Sequence, residues 1–266
     1  RHGEWMNSTA TFSHHEGTSG AYYLPGDRMA TAGYSFVSRW GWGENIAAVD
    51  IVTRTAAEAI SAMHRGWMES PLHRQAMLDA DFRELGYAQV LGRYQGMDVS
   101  FGVQNFAYSG TNAFVTGVVY SDSDRDSFYS IGEGQSGLSF KIIGGNATTP
   151  AAAGGYALGG RLGSTLTVQI GSGDAATRVT TSLADGNVKL DVVNGNLLRV
   201  AGDVTLLNDS AIRNITALGR SASDLTGNNV ANILTGSLGR NVLDGLDGSD
   251  TLRGNDGADL LRGGAG

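Results

Sequence analysis

The sequence contains no cysteine, which excludes both a disulfide scaffold and a zinc site built from cysteines. Lysine and arginine total 19 against 26 aspartates and glutamates, giving a formal net charge of -7. Because no basic stripe can neutralise phosphates, we expect no nucleic-acid partner. No apolar run approaches the roughly 20 residues that a membrane-spanning helix needs, so no transmembrane segment is predicted.

Proline is also scarce, with three residues in 266, whereas glycine occurs 40 times and is concentrated in the C-terminal half. That bias predicts turn-dense β structure there. All histidines and tryptophans lie before residue 110. We therefore predict a multidomain α+β protein with an N-terminal domain at 1–110, a β-sandwich at 111–198 and a β-roll at 199–266.

An amphipathic helix is predicted in the N-terminal domain. Thr55 and Glu58 have the spacing of a capping box, and apolar residues follow at helical intervals. Ser70 and Pro71 have the character of an N-cap and a first helical residue, so a second helix follows directly. The glycine-flanked Glu44 precedes the first predicted helix, and the second helix with its polar first turn follows it. Polar groups therefore lie at both ends of the first helix.

Short motifs occur along this domain in a fixed order: Trp5-Met6, Phe12-Ser13-His14, Arg28, Ala32-Gly33-Tyr34, Gly43-Glu44-Asn45-Ile46, Trp67-Met68, Ser70-Pro71, His73-Arg74 and Gln104-Asn105-Phe106. Together they resemble the bacterial branch of the CAP superfamily, which comprises cysteine-rich secretory, antigen 5 and pathogenesis-related proteins. The resemblance implies an α-β-α sandwich with a central cleft that holds two histidines and two acids. It also implies a first helix cut short at Arg1.

By position, the resemblance assigns the cleft histidines to His14 and His73 and the first acid to Glu44. The second acid falls at or beside Ser70, so Glu69 is the nearest substitute. We hypothesise that this cleft binds a divalent metal or a small lipid- or peptide-like ligand, and two histidines with an acid suit zinc. The alternative is a metal-dependent extracellular hydrolase with Glu44 as general base, although neither a nucleophile elbow nor an HExxH motif occurs.

From about residue 111, apolar and polar residues alternate in short runs separated by glycine-rich turns, which predicts an all-β sandwich. The segment resembles the carboxypeptidase-regulatory-like or serine-aspartate-repeat β-sandwich. It contains a twelve-residue loop with acids at positions 1, 3, 5 and 12, as in an EF-hand calcium loop. The predicted ligands are Asp122, Asp124, Asp126, the Phe128 carbonyl and Glu133.

Two features of this loop depart from the EF-hand pattern, since Ser127 occupies the glycine position and strands are predicted on both sides. The alternative interpretation is an acidic, solvated hairpin connection. However, four carboxylates in one turn repel one another without a counter-ion, and this favours calcium.

The last segment repeats with a period of nine. Glycine opens each unit, leucine fills its eighth place, and the sixth place reads Asn232, Asn241, Asp250 and Asp259. This pattern predicts a parallel β-roll in which two units form one coil, so that residues eighteen apart stack. The predicted calcium ligands are Asn241, Asp250 and Asp259, with few and weak sites because the pattern stops at Gly266.

The nine-residue units resemble RTX repeats, which implies a secreted, extracellular protein that leaves a Gram-negative bacterium by type I secretion. Absence of cysteine suits export as an unfolded chain, and roughly millimolar calcium outside the cell would drive folding. An alternative is an extracellular adhesive or matrix protein with the roll as a calcium-stiffened stalk. The cleft ligand and the oligomeric state stay open at this stage.

Overall fold

The computed structural model describes residues 1–266 and divides into two compact units, Arg1–Thr111 and Asn112–Gly266. β structure predominates, and helices occur only in the N-terminal unit apart from one short 3-10 turn, Gly173–Ala175. None of the helices has the length and apolar character needed to cross a bilayer.

The N-terminal unit contains four helices: α1 (His2–Thr9), α2 (Pro25–Thr31), α3 (Ala56–Glu69) and α4 (Pro71–Leu78). Helix α3 begins with the predicted capping box. The Glu58 backbone N–H donates to Thr55 Oγ1, and the Thr55 N–H donates to the Glu58 carboxylate at 2.7 Å. Both exchanges satisfy backbone donors that the first helical turn leaves free.

A three-stranded antiparallel sheet lies beside these helices, with the strand order β1-β3-β2. The strands are β1 (Trp40–Asp50), β2 (Glu84–Tyr94) and β3 (Met97–Ser109). Residues Gly43 to Ile46 precede α3 as predicted, and they lie inside β1. All eleven residues of β1 pair with β3, so ladder hydrogen bonding overrides the local glycines.

Helices contact both faces of this sheet, and two glycines mark the close approaches. A Cβ at Gly3 of α1 would lie 3.0 Å from Val90 and 3.7 Å from Phe101. A Cβ at Gly102, the next residue of β3, would lie 2.5 Å from the sulfur of Met63 in α3. Successive strand residues point to opposite faces, so α1 and α3 lie on opposite faces.

The C-terminal unit contains fifteen strands: β4 (Asn112–Tyr120), β5 (Phe140–Ile142), β6 (Ala147–Thr148), β7 (Gly155–Arg161), β8 (Thr165–Ile170), β9 (Thr177–Ser182), β10 (Val188–Val193), β11 (Leu197–Ala201), β12 (Val204–Leu206), β13 (Asn214–Ala217), β14 (Leu225–Thr226), β15 (Ile233–Thr235), β16 (Val242–Asp244), β17 (Thr251–Arg253) and β18 (Leu260–Arg262). They form a seven-stranded sheet in the order β17-β15-β13-β11-β10-β4-β7. The second sheet has eight strands in the order β18-β16-β14-β12-β9-β8-β5-β6.

Both sheets continue through the position where we predicted a boundary between sandwich and roll. That position, 198/199, lies inside β11, which pairs antiparallel with β10 and parallel with β13. One hydrophobic core extends from Ala113 to Leu243 and draws on both sheets. Because the roll adds strands to sheets that already exist, residues 112–266 form one compact unit.

The C-terminal end of this unit is a parallel β-roll. Leu225 pairs with Leu243, and Leu243 pairs with Leu261, each at a separation of eighteen residues in strands of the same sheet. The other sheet repeats this spacing between Leu234 and Leu252. Two nine-residue units therefore make one coil, as the period predicted.

We expect Leu243→Ala to lower the free energy of unfolding of the C-terminal unit by about 2–5 kcal/mol, because truncation leaves a cavity in a close-packed core. Leu238 lies in the same nine-residue unit but is 45% exposed, so Leu238→Ala should change that free energy by no more than about 0.5 kcal/mol. Urea unfolding followed by far-UV circular dichroism measures both variants. Small losses in both would contradict the position of Leu243 in the core.

Candidate functional site

A buried carboxylate lies at the centre of the N-terminal unit. The Glu44 side chain is 1% exposed, and both of its oxygens have partners. His14 Nδ1 lies 2.9 Å from Oε1, and an Arg28 guanidinium nitrogen lies 2.6 Å from Oε2. Strand β1 supplies Glu44, α2 supplies Arg28, and the loop after α1 supplies His14. The structure thus brings together two of the three predicted cleft residues.

The sequence did not indicate the second acid of this cluster. Glu16 is also buried, with His2 Nδ1 at 2.9 Å from its Oε1 and the Arg1 guanidinium on its other oxygen. His2 Nε2 lies 2.9 Å from the Ser13 carbonyl oxygen. Arg28 is 3.8 Å from Glu16 and so lies close to both acids. Glu16 stands in a loop without any repeating spacing, and no sequence signal marked it.

His73 does not join this cluster. Glu44 and Asn45 are consecutive in β1 and therefore point to opposite faces of the sheet. Asn45 Nδ2 donates to the His73 carbonyl oxygen at 3.1 Å, and His73 Nδ1 lies 2.7 Å from the Ser70 hydroxyl. The sheet thus separates His73 from His14, and Glu69 is exposed at the end of α3.

These positions do not fit the predicted zinc site. Zinc would need His14, His73 and Glu44 at tetrahedral distances, yet His73 lies on the other face. In addition, the Arg28 cation already neutralises Glu44. In this cluster the buried carboxylate of Glu44 instead fixes the orientation of one half-exposed histidine, His14.

A cavity of about 490 Å³ lies on the same face of the sheet as Glu44. Asn105, which pairs with Glu44 in the β1–β3 register, lines it, and its Oδ1 is buried without a hydrogen-bond partner. The Tyr34 hydroxyl donates to Glu84 at 2.8 Å. Burial, and then the hydrogen bond to Glu84, raise the pKa of Tyr34 well above its usual value. Most other lining atoms are apolar, with Met29 and Leu85 among the residues that contribute them.

The acidic loop between β4 and β5 brings three predicted calcium ligands together. Ligand oxygens of Asp122, Asp124 and Asp126 all lie within 4.8 Å of one another. One of these side chains, Asp122, has a buried Oδ1 without a hydrogen-bond partner. The arrangement leaves negative oxygen atoms close together and one of them, Asp122 Oδ1, without a donor, which fits a hard cation such as calcium.

The other predicted members of this loop have defined positions. The Glu133 carboxylate accepts the backbone N–H groups of Ser123 and Ser130 at 2.6 and 2.9 Å, so it orders the loop ends. Ser127, at the position where an EF-hand has glycine, has a φ of 66°. The loop thus adopts the left-handed turn there even without glycine. The Phe128 ring is 70% exposed.

In the roll, the sixth residue of each unit packs against the glycine that opens the unit. A Cβ at Gly245 would lie 2.3 Å from Asp250 Oδ2, and a Cβ at Gly254 would lie 2.4 Å from Asp259 Oδ2. Any larger residue would displace these carboxylates. This contact explains in physical terms why glycine and aspartate recur five residues apart.

The predicted stacking across coils is also present. The backbone N–H of Asn241 donates to Asp259 Oδ1 at 2.9 Å, and that of Asn232 donates to Asp250 Oδ1 at 2.9 Å. Asp250 Oδ2 is buried and has no hydrogen-bond partner. An unpartnered carboxylate oxygen in this position is costly unless a cation neutralises it, and the donor chemistry fits calcium.

Residues 235–266 match the family model of the RTX calcium-binding nonapeptide repeat, in four copies. The match includes Asn241, Asp250 and Asp259, and it covers the end of the parallel β-roll. No curated protein and no solved structure is significantly similar to the chain. The C-terminal segment therefore carries RTX calcium-binding repeats, a type of repeat that is typical of extracellular proteins exported by type I secretion.

We expect Glu44→Gln to lower the free energy of unfolding of the N-terminal unit by about 3 kcal/mol, because it removes the closer of the two carboxylates beside the buried Arg28. Glu69→Gln makes the same change at an exposed site and should alter this free energy by no more than about 0.5 kcal/mol. All four tryptophans lie in this unit, so urea unfolding followed by tryptophan fluorescence reports on it selectively. Equal stability of the two variants would refute a structural role for the Glu44–Arg28 pair.

Proposed function

We propose that this chain is a calcium-binding extracellular protein in which calcium completes the C-terminal end of the β-roll. The observation that carries the proposal is Asp250 Oδ2, a buried carboxylate oxygen without a donor inside the RTX-matched segment. Asp259, one unit later, packs on its own glycine in the same way. A divalent cation would neutralise these carboxylates, which otherwise oppose folding of the last coil.

The acidic loop is proposed as a second type of calcium site. Its support is the convergence of Asp122, Asp124 and Asp126 and the unpartnered Asp122 Oδ1. Glu133 would act through the loop backbone, since its carboxylate already accepts two N–H groups. The Phe128 carbonyl keeps its role as a proposed ligand at position 7.

Calcium dependence also agrees with secretion by the type I route. A chain without cysteine needs no disulfide to fold after export. In the cytosol, low calcium would leave the aspartates of the last coil unneutralised, whereas roughly millimolar calcium outside the cell would neutralise them. The proposed sequence of events is export as an unfolded chain followed by calcium-driven folding.

Calcium titration tests this function. We expect the wild-type chain to bind calcium by isothermal titration calorimetry and to melt at a higher temperature in calcium than in EGTA. The double variant Asp250→Asn, Asp259→Asn should lose the heat of calcium binding to the roll. Asp124→Asn should lose the heat of calcium binding to the acidic loop. Asp185→Asn, an exposed turn residue, is the matched control. Identical melting in calcium and EGTA would contradict the proposal.

For the N-terminal unit we propose a ligand-binding module of the CAP type. The support is its resemblance in sequence, the buried Glu44–Arg28 pair that orients His14, and the cavity that Asn105 lines on the same face. The mostly apolar lining favours a lipid-like ligand with one hydrogen-bond donor for Asn105 Oδ1.

The metal and hydrolase versions of this module are less favoured by the geometry. A general base needs a carboxylate oxygen free to accept a proton, and both Glu44 oxygens are engaged. A zinc site needs His73, which lies across the sheet from His14. We therefore place ligand binding ahead of catalysis.

A fluorescent fatty-acid analogue serves as the probe for the cavity. Gly86 lines it, and a Cβ there meets no atom within 4 Å, so Gly86→Leu should fill the cavity without strain and weaken binding by about tenfold or more. Gly66→Leu is the control, since a Cβ at this exposed helix position also meets no atom. Equal affinity of the two variants, or no binding by wild type, would refute a lipid-like ligand.

A further inference from the structure

The sixth place of the nine-residue units changes in charge along the roll. It is neutral in the early units and acidic in the last two, in the order Ser223, Asn232, Asn241, Asp250, Asp259. Both sheets show the change, because units alternate between them. The chemistry that joins one coil to the next therefore differs between the two parts of the roll.

At the asparagines, both the oxygen and the nitrogen of the side-chain amide form hydrogen bonds with other groups of the protein. Asn241 Oδ1 accepts the Ser237 N–H at 2.7 Å, while its Nδ2 donates to the Ser223 carbonyl oxygen of the previous coil at 2.9 Å. Asn232 repeats this arrangement with the Asn228 N–H at 2.8 Å and the Arg213 carbonyl oxygen at 3.2 Å. Each amide supplies an acceptor to its own turn and a donor to the coil before it, so no charge is left over.

At the aspartates, the donor to the previous coil is missing. A carboxylate can only accept when ionised, and Asp250 Oδ1 accepts the Asn232 N–H of the previous coil. Its Oδ2 corresponds in position to the asparagine oxygen but has no partner, because the Leu246 N–H donates to Asp244 instead. The Asp250 unit therefore carries both an unmet acceptor and a negative charge, and the Asp259 unit carries a negative charge as well.

We propose that calcium controls folding of only the last coil, residues 245–266, while the asparagine units up to Asp244 fold without calcium as an extension of the two preceding sheets. In this arrangement β11 and β12 provide the template, since each pairs antiparallel with an earlier strand and parallel with the next strand of the roll. The inference rests on the proposed calcium function. It adds the position in the chain, after Asp244, from which folding depends on calcium.

Hydrogen–deuterium exchange of the full chain, measured by mass spectrometry in calcium chloride and in EGTA, tests this inference. In EGTA we expect β17 and β18 to exchange as an unfolded segment does, while β14, β15 and β16 keep the protection that they have in calcium. Loss of protection in β14 to β16 together with β17 and β18 would overturn the inference but leave the calcium function intact. Protection of β17 and β18 that calcium does not change would overturn both.

A pair of asparagine variants tests the cause of the boundary. Asn241→Asp replaces the donating amide by a carboxylate, so protection of β16 should become dependent on calcium. Asn229→Asp makes the same chemical change at an exposed residue and should leave the exchange pattern of the wild type. If β16 in Asn241→Asp stays protected in EGTA, the amide is not what makes this coil independent of calcium, and the inference fails.

Discussion

The C-terminal half of this protein depends on one constraint: polar side chains buried between successive coils must find a partner every eighteen residues. Where the sixth residue of a unit is asparagine, the chain supplies that partner itself, as Asn241 does with Ser237 and Ser223. Where it is aspartate, as at Asp250, one oxygen stays without a donor. In our proposal calcium meets the requirement in the second case, so the order of neutral and acidic sixth residues determines where an external ion becomes part of the fold.

The same constraint appears in the N-terminal unit with a different solution. Glu44 is buried, but Arg28 and His14 occupy both of its oxygens. Glu16 is likewise held by Arg1 and His2. This unit thus balances its buried acids with internal cations, whereas we propose that the acidic loop and the last coil take an ion from outside. The presence or absence of an internal partner distinguishes a structural charge cluster from a proposed calcium site.

Regular repeats allowed the parallel β-roll to be predicted. The period of nine predicted the coil of eighteen residues, because a strand register must repeat with the sequence, and Leu225 pairs with Leu243 accordingly. The continuity of both sheets through residues 198 and 199 could not be predicted from composition, since hydrogen bonding through β11 joins segments whose sequences differ in character.

In the N-terminal unit, local patterns predicted the start of α3 but not the site. Thr55 and Glu58 interact within one helical turn, so their spacing alone is informative. The faces of β1 depend on pairing with a distant strand, and this pairing places Glu44 and Asn45 on opposite sides of the sheet. The separation of His14 from His73 follows from that alternation, whereas Glu16 contacts Arg1 and His2 from a loop that has no repeating spacing.

A crystal structure of the chain grown with calcium tests the central claim most directly. The account predicts a cation beside Asp250, with its Oδ2 at about 2.3–2.6 Å from the ion, and none at the Asn232 and Asn241 side chains. A calcium-containing crystal in which Asp250 Oδ2 stays buried and unpartnered, or in which the ion occupies the asparagine positions instead, would contradict it.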